Sequence, residues 1–148
     1  MKSTLSDKLA TLRESAKALH EETDALNVLY KQVEDSLRGV GVTFWWDEAR
    51  FDFKAGNAEQ YEAYVILGYA RVGNQWCLAT KYVQRASDTE KIEAFEPVSL
   101  THASRVVRIE FAPRVEDFID ALIAEVTKIR GSVERAKADV AKRIGSAK

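Results

Sequence analysis

At 148 residues, with 46% hydrophobic and 30% charged side chains, the chain can bury a core of its own and is too apolar to stay disordered. A formal net charge of −1 argues against a polyelectrolyte ligand acting through the whole molecule. The single cysteine, Cys77, excludes an intrachain disulfide and any Cys-based zinc site within one chain.

The first element is marked by Leu5, Leu9, Leu12, Ala16, Leu19, Thr23, Leu26, Tyr30, Val33 and Leu37, which step by alternating fours and threes. That is the rhythm of a heptad seam, and neither Pro nor Gly interrupts residues 1–38. The spacing predicts a long helix over 1–38. Ser3 or Ser6 can cap its start, and Gly39 and Gly41 supply its stop.

From residue 42 the period changes to two. Val42, Phe44 and Trp46, then Phe51 and Phe53, read as one or two strands with a turn at Asp47–Ala49. Two further apolar runs flank Gly73–Asn74, a two-residue hairpin signal. In that register facing residues sum to 147, so Tyr69 opposes Leu78 and Ala70 opposes Cys77. One face, with Val65, Leu67, Tyr69, Leu78 and Tyr82, is bulky; the other, with Gly68, Ala70, Cys77 and Ala79, is mostly small. Helices should press on one of these faces, and the pattern leaves open which.

Residues 86–97 are polar enough for a surface loop. Residues 99–111 are ambiguous: Val107, Ile109 and Phe111 alternate like a strand, whereas Leu100, Ala103, Val107 and Phe111 step like a helix. The capping pattern at Pro97–Ser99 tips the reading towards a short helix that breaks at Pro113. Beyond it, Val115, Ile119, Leu122, Val126, Ile129, Val133, Ala136 and Val140 repeat the heptad rhythm. Pro113 suits a helix start, and Glu116, Asp117 and Asp120 suit its positive end. A second long helix is predicted over 113–145, with Gly131 as a place for close helix approach.

The expected architecture is α+β in a single domain, 1–148. Two long heptad-patterned helices flank a three- to four-stranded antiparallel β-meander over 42–85, with a loop and a short ambiguous element over 86–112. The helices should outrun the sheet, and the overhang needs a partner. The simplest is the other helix, although antiparallel pairing within the chain sets Glu34 near Glu116 and Arg13 near Lys137.

Chemistry-bearing patterns are sparse. His20 and His102 lie 82 residues apart, and "HEETD" at 20–24 lacks the second histidine of a helical zinc motif. Cys77 sits mid-strand and reads as a buried thiol. Asp47, Glu48 and Asp52 fit a turn between strands as well as a carboxylate site. No glycine-rich phosphate loop is present. The expectation is a protein without catalysis, cofactor or metal.

Charge is uneven: residues 128–148 hold seven cations against Glu134 and Asp139. Lys128, Arg135 and Lys142 form one stripe, which could follow a phosphate backbone. Arg105 and Arg108 would share a face of a short helix and could hold a carboxylate or phosphate. Trp45 and Trp46 point to opposite faces of a strand, so one of them is a candidate contact residue. The opening residues lack an apolar signal core and no stretch nears the ~18 apolar residues of a membrane span, so a cytoplasmic protein without a membrane partner is expected. The functional expectation is a small subunit or adaptor that binds protein, itself or another chain, through its heptad helices. The alternatives are a small-anion site using Arg105, Arg108 and a tryptophan-lined cleft, or nucleic acid along the basic C-terminal helix.

Overall fold

In the computed structural model, residues 4–53, 61–86 and 92–146 are described. An N-terminal helix, α1 (Leu5–Ser36), leads into an antiparallel sheet of β1 (Phe44–Phe53), β2 (Tyr61–Val72), β3 (Gln75–Ala86), β4 (Ile92–Ala94) and β5 (Val98–Ser99). A 3-10 turn at Leu100–His102 then precedes α2 (Arg105–Phe111), a second 3-10 turn at Ala112–Arg114, and the C-terminal helix α3 (Val115–Ser146). The fold is α+β.

The start of α1 is set by Thr4, not by either serine. Its hydroxyl accepts from the Asp7 N–H at 3.2 Å, while the Asp7 carboxylate accepts from the Thr4 N–H at 3.2 Å. This reciprocal box satisfies two donors that the first turn otherwise leaves unpaired. Ser6 lies inside the helix, and Ser3 falls outside the described residues. At the far end Gly39 (φ 91°) and Gly41 (φ 58°) take left-handed conformations that turn the chain into β1.

β2 and β3 pair through the Gly73–Asn74 turn with Tyr69 opposite Leu78 and Ala70 opposite Cys77, and Gly73 has φ 62°. β1 pairs with β2 on one side. Residues 47–49 do not turn the chain back: Trp46 faces Leu67 and Arg50 faces Ile66, so these three residues form a bulge inside one strand. The far edge of β3 is shared in series by β5 at Ala79–Thr80 and β4 at Val83–Arg85. Part of the expected 86–97 loop is therefore strand, and its residues 87–91 fall outside the described residues.

The helices lie on the bulky face. Val65, Leu67, Tyr69 and Leu78 form one buried core with Tyr30 of α1, Leu100, Val107 and Phe111, and Phe118 and Leu122 of α3. Phe44 and Trp46 of β1 close one side against the Phe118 ring, at centroid distances of 5.9 and 6.0 Å. In the segment 99–111 the helical reading holds and the strand reading does not: Val107, Ile109 and Phe111 lie in α2 after a 3-10 turn at Leu100–His102, and only Ser99 belongs to a strand.

The small face is covered by long side chains. The Trp45 ring lies over Gly68, with the Lys81 ammonium 4.3 Å from its centre, and the Arg50 guanidinium stands 4.2 Å from the centre of the Tyr64 ring. A Cβ at Gly68 would sit 2.3 Å from Trp45 Cε3 and 2.7 Å from the Phe44 carbonyl oxygen. Gly131 is the opposite case: a Cβ there meets only Arg135 Nη1, at 3.7 Å, so no close helix approach explains it. Gly68→Ala should therefore lower stability by about 1–3 kcal/mol, through overpacking against the indole and the β1 backbone. Gly131→Ala should raise it by about 0.5–1 kcal/mol through helix propensity. Paired thermal melts of the two variants check both signs.

Candidate interaction surface

Each long helix has 32 residues, about 48 Å of length at 1.5 Å per residue. The sheet covers only part of each. On α1, Leu26, Tyr30, Val33 and Leu37 pack into the core; on α3, Val115, Ile119, Leu122 and Val126 do. The remaining apolar residues of the same stripes stand in solvent. Leu5, Leu9, Leu12 and Leu19 are 73%, 43%, 63% and 41% exposed, and Ile129, Val133 and Val140 are 37%, 52% and 55% exposed.

Pairing of the two stripes along their length within the chain is thus not what the structure shows. Near the sheet, Leu37 and Val40, just beyond α1, and Ile119, Leu122 and Val126 of α3 line an apolar cleft of about 400 Å³. Beyond it two helical arms, residues 5–22 and 127–146, carry uncovered side chains. Ile123 and Ile144, 59% and 60% exposed beside the α3 stripe, are not anticipated by the seam spacing.

The base of the α1 arm is held by polar contacts. Arg105 donates from Nε to the Thr23 hydroxyl at 3.2 Å, and its Nη2 lies 3.2 Å from His20 Nδ1. Arg108 donates from Nη1 to the Asn27 amide oxygen at 3.2 Å, and the Tyr30 hydroxyl donates to the Arg108 carbonyl oxygen. Both arginines are thereby engaged in fastening α2 along α1. The Arg108 Nε is buried and has no hydrogen-bond partner among the described residues.

The tryptophan-lined cleft is elsewhere, between β1 and α3. Among the described residues, Trp45, Trp46, Asp47, Glu48 and Glu125 line it with one cation, Lys128, and neither Arg105 nor Arg108 reaches it. The pieces of an anion site are not brought together. Trp45 and Trp46 are both half-buried against internal partners. Trp76, which sequence spacing does not single out, is 38% exposed and stacks on Tyr69 at 5.5 Å. On the α3 arm, Arg135 donates to the Ser132 hydroxyl, while Arg130 and Arg143 pair with Glu134 and Asp139. Lys128, Arg135 and Lys142 all lie on exposed positions.

Among the described residues no cluster of three His, Cys, Asp or Glu side chains could hold a metal, and no helix is long and apolar enough to cross a membrane. Cys77 is buried opposite Ala70, and burial followed by the Glu34 charge pushes its thiol above the ordinary range. That favours the unreactive thiol form. Comparison with protein-family models, with curated proteins and with solved structures finds no match to this chain.

Glu34 is the residue that joins α1 to the sheet, and nothing in the spacing marks it. Its carboxylate accepts from the Leu78 N–H at 3.1 Å, on the β3 edge just beyond β5, and Lys31 Nζ lies 3.5 Å away. Tyr69 completes the joint by donating its hydroxyl to the Leu37 carbonyl oxygen at 3.1 Å. Burial raises the Glu34 pKa, and Lys31 and the Leu78 N–H only partly oppose it. The folded chain therefore holds this proton more tightly than the unfolded chain does. The corresponding stability is full below the ordinary carboxylate value and is lost as pH rises through the folded one.

Two substitutions separate these effects. Glu34→Leu leaves the Leu78 N–H buried and unpaired, and should cost about 1–3 kcal/mol. Glu34→Gln keeps an acceptor and removes the charge. Relative to the Glu34→Gln variant, the native protein should lose stability as pH rises from the ordinary carboxylate range through the raised pKa of the folded state. Urea denaturation across that range measures the difference; a gap that widens towards acid pH in favour of the variant would contradict the assignment.

Proposed function

We propose that this chain is a protein-interaction module whose long helices present heptad seams to partner helices, as a small subunit or adaptor would. The observation that carries the reading is the uncovered run Leu5, Leu9, Leu12 and Leu19, on a helix whose next apolar residues on the same stripe, Leu26, Tyr30 and Val33, belong to the core. Burying a leucine is worth roughly 1.5–3 kcal/mol, so four on one stripe are a strong incentive to associate. Singly scattered surface leucines are ordinary, whereas a continuous stripe at coiled-coil spacing is not. The α3 arm adds Ile129, Val133 and Val140 as a second stripe.

A second reading has one supporting observation. Residues 127–146 carry six cations against Glu134 and Asp139, and all of those side chains are exposed. A polyanion along that arm would bind with a steep salt dependence. Arg130 and Arg143 are already paired within the helix, and no aromatic side chain interleaves the cations, so we rank it second.

Light scattering coupled to size exclusion tests the leading reading. A single chain has a mass of 16.6 kDa. The native protein should elute as a multiple of it, or retain a partner chain. Leu9→Glu with Leu12→Glu should return it to 16.6 kDa with an unchanged helical spectrum, because both residues lie outside the core. The expected weakening is at least about 100-fold in dissociation constant. A native protein that is monomeric and partner-free at high micromolar concentration would overturn the proposal.

A further inference from the structure

We infer that the α1 arm is a homodimerisation element, and that it pairs with the α1 arm of a second copy in an antiparallel register centred on residue 14. The inference rests on the interaction reading above and names the partner. Three observations lead to it: the exposed leucine stripe, its continuity with a stripe already covered further along, and the charges on either side.

Antiparallel packing sets each a-type residue against a d-type residue of the partner. If facing residues sum to 28, Leu9 meets the second copy's Leu19, Leu12 meets its Ala16, and Leu5 meets its Thr23. Each layer occurs twice by symmetry, giving six in all, and every exposed leucine of the stripe is seated. The flanking g-type positions are Lys8, Ser15 and Glu22. In this register Lys8 faces the partner's Glu22, also twice, while Ser15 faces its own copy. Among the described residues, neither Lys8 nor Glu22 has an ion-pair partner within the chain.

The other pairings of like arms are electrostatically worse. A parallel pair of α1 arms sets Lys8 beside Arg13 twice. The antiparallel pair has one such clash, Arg13 with its own copy, against two attractive contacts. Two α3 arms would bring net +4 against net +4, counting six cations and two carboxylates over residues 127–146. The α1 arm over residues 5–23 carries three cations and four carboxylates, so its like pairing is nearly neutral. A second copy laid on the α1 stripe also continues the cover that the sheet gives to Leu26, Tyr30 and Val33.

Charge reversal tests the register in the full-length chain. Lys8→Glu and Glu22→Lys should each raise the dimer dissociation constant by about tenfold, since each turns two attractions into two repulsions. The double variant should restore native affinity, as read by sedimentation equilibrium at low salt. Nitroxide labels at Ser6→Cys should lie about 24 Å apart along the axis, and at Ser15→Cys about 3 Å, at 1.5 Å per residue. Short distances at both positions would replace this register with a parallel one. A dimer broken by Leu9→Glu with Leu12→Glu but indifferent to charge reversal would overturn the register and leave the interaction reading standing. A native chain that forms no homodimer but retains another protein chain would overturn this inference alone, and one that is monomeric and partner-free would overturn both.

Discussion

The structure depends on a mismatch of lengths. A helix of about 48 Å lies on a sheet that covers α1 only from Leu26 to Leu37, some 17 Å of rise. An isolated helix gains little from propensity alone, so the covered third must hold the rest in place. Everything fixing that third to the sheet therefore acts over the whole of α1. The same holds for α3, which is seated through Phe118 and Leu122 and then runs on for about five turns beyond Val126.

The seating is partly apolar and partly a set of specific hydrogen bonds. Phe111 and Phe118 supply area, and area alone does not fix the position of a helix along a sheet. Glu34 on the Leu78 N–H and Tyr69 on the Leu37 carbonyl do, because each bond has one acceptable geometry. Glu34 carries a desolvation penalty in that position, which its hydrogen bond and Lys31 only partly offset. The edge of β3 explains why the penalty is tolerated. Without the carboxylate, a buried backbone donor has no partner, since β5 pairs only Ala79 and Thr80. Arg105 and Arg108 then tie α2 to the side of α1, which shelters Val107 and Phe111 beneath.

How much of this is legible in the sequence follows from what periodicity can report. Helix limits of 1–38 and 113–145 against 5–36 and 115–146 come from unbroken apolar spacing, and the β2–β3 register from one dipeptide whose turn admits little else. Periodicity names the residues sharing a stripe and says nothing of what lies on them. So one stripe reads as one seam, although Leu26–Leu37 belongs to the core and Leu5–Leu19 to the surface. Asp47 and Glu48 look like turn residues because a bulge exposes its extra residues in the same way. β4 is invisible because Ile92–Ala94 is exposed throughout, held by backbone pairing with no buried face to alternate. Glu34 is legible only as a polar flank of the seam; its partner is 44 residues away on a strand edge.

Thr23 marks where the two regimes of α1 meet. It occupies a seam position, yet its hydroxyl donates to the Leu19 carbonyl at 2.7 Å and accepts from Arg105 Nε at 3.2 Å. A leucine there would extend the apolar stripe without a break, and any neighbouring helix could slide along it by a heptad. A polar seam residue restricts that freedom, because registers that bury its hydroxyl among leucines are penalised relative to those that leave it at the end of an apolar interface. In the antiparallel pair Thr23 falls in the outermost layer, against Leu5, where its hydroxyl stays beside Arg105 and away from the other leucines. Shifting the pair towards the sheet by one heptad would set Thr23 against Leu12 and drive Leu9 into the stretch that Leu26 already fills. In the pair proposed above, the same hydroxyl that fastens α2 to α1 would thus limit how far a second helix could advance along the stripe.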